Sequence, residues 1–235
     1  MNRAEEFQYY SLSEFKIGLP IIFVDFDYTI SNFGEMKKSI KTSCKEIGID
    51  EIFWDESYKK FKNSLGIYNS LEHEKYLAEK YPNIETQISD IYKAVYQNAS
   101  KFKYDDVNIF LSKYSKDYNI ILFTLGNEDF QLIKRKSSDI DKFLVGSINT
   151  NTSKENAVKE IVQNSYFGIV NEIIFVDDRA DYFEKYKNIL DNSSPKLMYR
   201  FVWINRPNSK YSNLFPCDRV KDDLTIVDDL SILNL

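Results

Sequence analysis

Histidine and cysteine are almost absent from this sequence. Its 235 residues include one histidine, His73, and two cysteines, Cys44 and Cys217, which stand far apart with no histidine beside them. A structural zinc site needs about four such ligands, and a disulfide framework needs several spaced cysteines, so neither is predicted. We expect both cysteines to be free thiols, buried or half-buried.

Long apolar runs and basic clusters are also missing. No segment approaches the roughly 20 apolar residues that cross a bilayer, and no N-terminal basic region precedes an apolar run and a cleavage site. Acidic and basic residues are interleaved and the formal net charge is -5, which argues against a nucleic-acid-binding surface. We therefore expect a soluble, cytoplasmic protein whose partner is neither a membrane nor a nucleic acid.

What the sequence does contain is a series of short apolar runs. Its 43% apolar content is enough for a substantial core. The runs lie at residues 21–24, 119–123, 172–176 and 197–204. Segments of helical period lie at residues 104–118, 128–137, 154–163 and 181–189. Because continuous apolar runs are typical of strands buried on both faces, this order predicts an α/β fold with a doubly wound parallel sheet.

Residues 31–103 form a segment of another kind. They contain four stretches of helical period and no convincing strand, and they separate the first strand from its crossover helix. We therefore predict an α/β core domain made of residues 1–30 and 104–235, with an inserted helical domain at residues 31–103. His73 lies in the charged run LEHEKYLAEK, so we expect it on a solvated helix face rather than in a catalytic role.

Polar side chains follow three of the predicted strands where each strand ends. The first strand runs into Asp25 and Asp27, the second into Thr124, and the third into Asp177 and Asp178. Ligands bind at the carboxyl ends of the strands in open parallel sheets, so these groups should converge. Clustered carboxylates repel unless a cation compensates them, and Mg²⁺ prefers oxygen ligands, often together with a phosphate. The sequence therefore predicts a magnesium site that also receives a phosphoryl group.

Two further residues suit a bound phosphate. Lys154 stands at the start of a predicted helix, whose N-terminal amides favour anions, and Thr124 offers a hydroxyl. Asp25 and Asp27 then divide between two roles. One carboxylate attacks phosphorus, and the other protonates the leaving oxygen and later activates water. Each residue is common by itself, so the hypothesis depends on their joint order and spacing.

This ordered set resembles the haloacid dehalogenase-like hydrolase superfamily, whose signature is four loops at the carboxyl ends of a Rossmann-like sheet. The matching segments are DFDYT at residues 25–29, FT at 123–124, Lys154 and DDRAD at 177–181. The resemblance implies that Asp25 is the nucleophile, that Asp27 is the general acid/base, and that residues 31–103 form a helical cap of the C1 type. It implies phosphoryl binding by Thr124, Leu125 and Lys154, and Mg²⁺ binding by Asp25, Asp27 and Asp177 or Asp178.

The sequence departs from the usual superfamily pattern at two places. The first motif usually reads D-x-D-G-T, whereas Tyr28 replaces the glycine here. In the last motif, the four-residue spacing to Asp181 favours Asp177 as the metal ligand, while alignment with the usual Gly-Asp pair favours Asp178. Both residues are kept as candidates.

The resemblance also implies a reaction. In this superfamily the residue two after the nucleophile sorts the chemistry, and an aspartate there, Asp27, is typical of phosphatases and phosphomutases. The expectation is a Mg²⁺-dependent phosphatase acting on a small phosphorylated metabolite through an aspartyl-phosphate. The alternatives are a phosphomutase or phosphotransferase with the same residues, and a binding or regulatory protein that keeps the fold without turnover.

Overall fold

A computed structural model describes residues 7–63, 66–164, 167–168, 170–193, 197–207 and 209–235. The described strands are β1 (Gln8–Ser11), β2 (Ile21–Val24), β3 (Asn119–Leu125), β4 (Gly146–Thr150), β5 (Glu172–Asp177), β6 (Met198–Ile204) and β7 (Leu224–Val227). The described α-helices are α1 (Phe33–Glu46), α2 (Glu51–Lys60), α3 (Ser70–Lys80), α4 (Glu85–Gln97), α5 (Val107–Tyr114), α6 (Glu128–Ser137), α7 (Lys154–Gln163) and α8 (Phe183–Asp191).

The described strands form one sheet in the order β1-β4-β3-β2-β5-β6-β7. All neighbours are parallel except β1, which pairs antiparallel with β4 at the edge. Side chains alternate along the central strand β2, so Phe23 packs in a cluster with α7 and α8, while Val24 packs in a cluster with α5 on the other face. Helices therefore cover both faces of a mostly parallel sheet, which confirms the predicted α/β fold.

Two strands were missing from the sequence prediction. Strand β4 has the sequence GSINT, in which Ile148 is the one large apolar residue, yet every residue of it is buried. Strand β1 lies in the N-terminal segment, before the first of the predicted strands. Polar strands carry no apolar run, so periodicity cannot find them, and the sheet supplies the partners that their backbones need.

Most predicted helices are present with altered ends. Among the four helical stretches predicted within residues 31–103, the second forms α2, which ends at Lys60. The crossover helix predicted at 104–118 is shorter, and the last one begins at Phe183 after a 3₁₀ turn. Side-chain N-caps fix five of the helix starts. These caps are Asn32, Asp50, Asn69, Asn127 and Ser153.

Helices α1–α4 lie between β2 and α5 in the chain and share a hydrophobic cluster of their own. Trp54 and Tyr92 are buried in that cluster, and Phe130 of α6 belongs to it as well. The inserted helices therefore pack directly on α6, which follows the strand carrying Thr124. The domain boundaries drawn around residues 31–103 stay a prediction.

The expectation that His73 is solvated is wrong. Its side chain is completely buried, since the charged neighbours occupy the other face of α3. The imidazole lies 2.7 Å from the Ser57 hydroxyl through Nε2 and 2.7 Å from the Tyr68 hydroxyl through Nδ1. Ser57 donates its own hydrogen to the carbonyl of Trp54, so Nε2–H must be the donor to Ser57 and Nδ1 the acceptor. His73 is thus a structural residue of the inserted helices.

The prediction of two free thiols is confirmed, because Cys44 is free and buried and Cys217 is free and half-buried. Among the helices that the structure describes, none combines the length and apolar character needed to cross a bilayer.

Candidate active site

The sheet register brings the predicted site residues to one edge. Val24 lies opposite Leu122 of β3 and Val176 of β5, and the amide of Asp25 donates to the carbonyl of Val176 at 2.9 Å. Asp25 therefore leaves the sheet between the ends of β3 and β5. Thr124 and Asp177 are the neighbouring polar residues on those two strands.

Three carboxylates form a compact group at this edge. Asp25, Asp177 and Asp178 each offer an oxygen atom, and these atoms lie within 4.8 Å of one another. All three residues are buried. Burial and the nearby carboxylates raise the pKa of Asp178 well above its usual range, and burial raises the pKa of Asp25 despite the opposing charge of Lys154. The group therefore carries excess negative charge that a cation would stabilise.

Lys154 offsets part of this charge. Its Nζ lies 2.6 Å from Oδ1 of Asp25 and 2.7 Å from Oδ2 of Asp177, and its side chain is 2% exposed. Burial lowers the pKa of Lys154, but the carboxylates of Asp177 and Asp25 outweigh it, so the pKa lies above its ordinary value. The Ser153 N-cap begins α7 at this residue and fixes its approach to the strand ends.

The two candidate ligands of the last motif have different partners. Asp177 uses both oxygens, accepting from Lys154 at 2.7 Å and from the amide of Arg179 at 2.9 Å. Asp178 accepts from the Ser209 hydroxyl at 2.6 Å through one oxygen, and within the described chain its other oxygen has no hydrogen-bond donor. Asp181 pairs with Arg179 and lies outside the carboxylate group.

The donor set fits a hard divalent cation. One oxygen of Asp25 and one of Asp178 have no hydrogen-bond partner in the described part of the chain, and both residues belong to the buried carboxylate group. Oxygen donors of this kind, few in number and carboxylate in type, are those by which proteins hold Mg²⁺ beside a phosphate. Asp25 and Asp178 are thus the residues best suited to ligate a metal directly.

Asp27 has a partner that sequence reasoning missed. Lys134 of α6 places its Nζ 2.7 Å and 2.8 Å from the two carboxylate oxygens of Asp27, and the Lys134 side chain is fully buried. Gln131, one turn earlier, lies 3.4 Å from the same carboxylate. The run LIKRKS resembles a solvated helix end, and no spacing in it distinguishes Lys134 from its neighbours.

Tyr28 occupies the position at which the motif usually has glycine. Its φ angle is 65°, in the left-handed region that side chains other than glycine avoid. The ring is buried and packs edge-on against Phe33 and Tyr211, with centroids 6.2 Å and 6.1 Å away. The turn therefore keeps the backbone that a glycine would give, while the side chain becomes part of the site wall.

A cavity of about 100 Å³ opens onto these residues. Ligand pockets commonly measure roughly 300–1,000 Å³, so this one suits a small ligand. The sheet-edge residues that line it are Asp25, Asp27, Thr124, Leu125, Lys154, Asp177 and Asp178. The inserted helices and their connections contribute Phe33, Tyr58, Lys62 and Tyr68. Every site residue predicted from the sequence thus faces one cavity, which the insertion covers.

Solved structures share this architecture. The fold matches a haloacid dehalogenase-like hydrolase of Burkholderia xenovorans LB400 with a TM-score of 0.68 and 13% identity, covering 91% of this chain and 96% of that one. The chain has the haloacid dehalogenase-like fold. An L-2-haloacid dehalogenase from Xanthobacter autotrophicus matches with a TM-score of 0.56 at 9% identity, covering 92% and 96% of the two chains. A predicted phosphoglycolate phosphatase from Haemophilus somnus 129PT matches at 0.51 and 15%, covering 90% and 94%.

Sequence comparisons add no closer relationship. No protein-family model matches the chain, and no curated protein matches its sequence. Structures with the haloacid dehalogenase-like fold include both dehalogenases and phosphatases, so the reaction must be inferred from the site residues of this chain.

Proposed function

We propose that this chain is a Mg²⁺-dependent phosphatase that hydrolyses a small phosphomonoester through an aspartyl-phosphate on Asp25. The observation that carries the proposal is the pair Asp25 and Asp27, two carboxylates that face the same cavity beside Thr124 and Lys154. A nucleophile with a separate acid/base carboxylate is the combination that hydrolysis of a phosphomonoester requires.

In the first half of the reaction the Asp25 carboxylate attacks phosphorus. A bond forms between Asp25 and phosphorus and the bond to the leaving oxygen breaks. Asp27, after taking up a proton from solution, gives that proton to the leaving oxygen. The hydroxyl of Thr124 has no hydrogen-bond partner in the described part of the chain, which leaves it free to donate to a phosphoryl oxygen. Lys154 adds a positive charge at the same end of the cavity.

In the second half a water molecule attacks the phosphorus of the aspartyl-phosphate. Asp27 takes a proton from that water, the bond between Asp25 and phosphorus breaks, and phosphate leaves. Lys134 holds the Asp27 carboxylate by both oxygens and so fixes the direction from which it can exchange protons. The small cavity under the inserted helices limits the water that reaches the intermediate.

Asp25 and Asp178 would hold Mg²⁺ by their open oxygens, with the main-chain carbonyl of Asp27 as a further ligand. The ion supplies charge neutralisation for the phosphoryl oxygens when bound. Asp177 would support this arrangement through Lys154 rather than by direct ligation.

Phosphate release from p-nitrophenyl phosphate tests the proposal. We expect release with Mg²⁺, loss of release with EDTA, and recovery when Mg²⁺ is restored. Asp25→Asn removes the nucleophile and should lower the rate by at least about a thousandfold. Retained turnover in Asp25→Asn would disprove the assigned role of Asp25.

Two further substrates separate the rival reactions. Chloride release from L-2-chloropropionate would indicate a dehalogenase, a reaction for which Asp27 has no acid/base task. Conversion of a sugar phosphate to its isomer without free phosphate would indicate a phosphomutase. Neither product is expected, and either one in place of phosphate would overturn the proposal.

A further inference from the structure

The cavity carries two lysines that the phosphoryl chemistry leaves unused. Lys62 follows α2 in the inserted segment, and Lys210 lies in the loop after β6. Lys154 pairs with Asp25 and Asp177, and Lys134 pairs with Asp27. In the ranges that the structure describes, neither Lys62 nor Lys210 pairs with a carboxylate, so their charges remain available to a ligand.

Each of these lysines is held against an aromatic ring. The Nζ of Lys62 lies 4.6 Å from the ring centroid of Tyr58, and the Nζ of Lys210 lies 4.4 Å from that of Tyr211. Contacts of a cation with a ring face fix its direction without neutralising its charge. The loop carrying Lys210 is itself anchored, because the Ser209 hydroxyl bonds Asp178 and accepts from the amide of Tyr211.

The two lysines also act on each other. Burial lowers the pKa of Lys62, and the positive charge of Lys210 lowers it further. Two like charges brought together in a partly desolvated cavity are unfavourable unless an anion joins them. The carboxylates of the site do not serve this purpose for Lys62, since burial and Lys210 account for its shift.

The position of Lys62 separates it from the phosphoryl end of the cavity. The residues suited to the phosphoryl group, Thr124 and Lys154, stand at the strand ends, whereas Lys62 comes from the inserted segment that covers them. A ligand held by the strand ends would therefore reach Lys62 with its other end. Lys210 is near enough to Lys62 for its charge to lower the pKa of Lys62, and near enough to Asp27 and Asp178 for their charges to oppose the lowering of its own pKa, so it lies within reach of both parts of the ligand. The small volume of the cavity requires that this reach be short.

We propose that Lys62 and Lys210 bind a second anionic group of the substrate, distinct from the phosphoryl group that is removed. The substrate class is thus a small phosphorylated acid or a small bisphosphate. The proposal rests on the proposed phosphatase function and specifies the substrate of that same site. General attraction of anions would also favour the more highly charged ester, but it would not depend on Lys62 and Lys210 more than on other lysines.

Matched substrates test the proposal. 3-Phosphoglycerate and glycerol 3-phosphate differ by a carboxylate in place of a hydroxymethyl group. Propane-1,3-diol bisphosphate and its monophosphate differ by a second phosphate. We expect the wild-type kcat/KM to be about tenfold or more higher for the doubly anionic member of at least one pair, the range that a charged contact can supply. The pair that responds identifies the anion.

Substitutions assign the effect to the two lysines. Lys62→Met and Lys210→Met should each remove most of the preference, through the KM of the doubly anionic member, and should change the kcat/KM of the singly anionic member of the pair less. Lys93→Met is the matched control, because Lys93 is an exposed lysine of the inserted helix α4. Equal kcat/KM within both pairs, or equal losses on all substrates in the lysine variants, would overturn the proposal.

Binding distinguishes failure of this proposal from failure of the proposed function. If p-nitrophenyl phosphate is hydrolysed but neither pair shows a preference, the phosphatase stands and the second anion site does not. If nothing is hydrolysed, calorimetry still tests the second anion site. The Asp25→Asn protein is titrated with 3-phosphoglycerate and glycerol 3-phosphate, and with the propanediol pair. Tighter binding of a doubly anionic ligand, lost in Lys62→Met, supports the site, and equal binding within both pairs disproves it.

Discussion

Lys134 and Asp27 form a buried ion pair in which one ammonium nitrogen contacts both carboxylate oxygens, at 2.7 Å and 2.8 Å. The same nitrogen lies 4.4 Å from the ring centroid of Phe130 and 5.0 Å from that of Phe33. Burial lowers the pKa of Lys134, and the charge of Asp27 opposes that effect. The charge of Asp27 therefore offsets the free-energy cost of burying the Lys134 ammonium at this position.

Asp27→Asn should consequently destabilise the protein as well as stop turnover. It removes the carboxylate charge that offsets the buried ammonium of Lys134, at a cost of about 3 kcal/mol in the free energy of unfolding. Lys134→Met should stay within about 1 kcal/mol of the wild type, because methionine fits the aromatic surroundings and the Asp27 side chain is 27% exposed. The double variant should recover most of the loss, giving a coupling of about 2 kcal/mol in urea unfolding.

An exposed pair supplies the control for that cycle. Lys142 and Asp139 lie 2.9 Å apart with side chains 57% and 69% exposed. Their double-mutant coupling should be about 0.5 kcal/mol or less, as for other surface pairs. A coupling between Asp27 and Lys134 no larger than this would contradict the interpretation of Lys134 as a buried partner.

Asp178 and Asp177 should respond differently to loss of the carboxylate. Saturating Mg²⁺ at about a hundred times its Kd should add about 2.7 kcal/mol to the unfolding free energy of the wild type. Asp178→Asn should abolish this gain, because an open oxygen of the carboxylate group is lost. Asp177→Asn should keep a Mg²⁺ response but lower the stability measured in EDTA, because Lys154 loses one of its two charged contacts.

Thermal unfolding with and without Mg²⁺ checks these outcomes. Ser209→Ala is a useful companion, since it removes the hydroxyl that holds Asp178 but leaves the carboxylate in place. It should weaken the Mg²⁺ response without removing it. A full Mg²⁺ response in Asp178→Asn, together with none in Asp177→Asn, would reverse the assignment of the direct ligand.

The sequence was sufficient for the parts of the site that lie directly after apolar strands. Asp25, Thr124 and Asp177 were found because each ends a run that can only be a buried strand, and parallel register then brings them together. Lys154 was found through its place at a helix start. These positions are set by local pattern and by sheet topology, both of which leave a trace in the sequence.

The burial of Lys134 and the presence of strand β4 could not be predicted from the local sequence pattern. Lys134 is buried because α6 is covered by the inserted helices, which is a relation between segments far apart in the chain. Strand β4 is stabilised by pairing with β3 and β1 rather than by apolar residues of its own. The sequence also misplaced His73. Charged residues surround it in the sequence of α3, and its burial depends on packing against the other inserted helices.

Arg206 and Asp106 provide a prediction about stability alone. The guanidinium donates to both oxygens of Asp106, at 2.7 Å and 2.9 Å, and to the carbonyl of Thr29 at 3.2 Å. Both side chains are buried. Arg206→Met leaves the Asp106 carboxylate buried with fewer partners and should cost about 3–5 kcal/mol in urea unfolding.

The matched control for Arg206 is Arg219. Its contact with Glu184 is 3.7 Å long, and the two side chains are 60% and 45% exposed. Arg219→Met should change the unfolding free energy by about 0–1 kcal/mol. Similar decreases in unfolding free energy in the two variants would show that the contacts of Arg206 with Asp106 and with the carbonyl of Thr29 stabilise the protein no more than an exposed ion pair does.

The buried His73 should make stability depend on pH in a defined direction. Burial, with a smaller contribution from the charge of Lys37, lowers the pKa of His73 from 6.5 to about 4. Between these values the unfolded chain binds a proton that the folded chain does not, so protonation favours unfolding. The stabilising contribution is fully present above pH 6.5 and is lost as pH falls toward 4, by about 3 kcal/mol over the whole interval.

A variant without histidine isolates this effect. His73 is the sole histidine of the sequence, so His73→Gln removes all imidazole titration and leaves the carboxylates unchanged. The difference in unfolding free energy between wild type and variant should shrink as pH falls from 7 to 4.5. Curves of unfolding free energy against pH that run parallel for wild type and variant would contradict this prediction. So would an imidazole NMR signal that titrates near pH 6.5 in the folded protein. An ordinary titration would mean that water reaches Nδ1 beside Tyr68, and thus that the inserted helices open in solution.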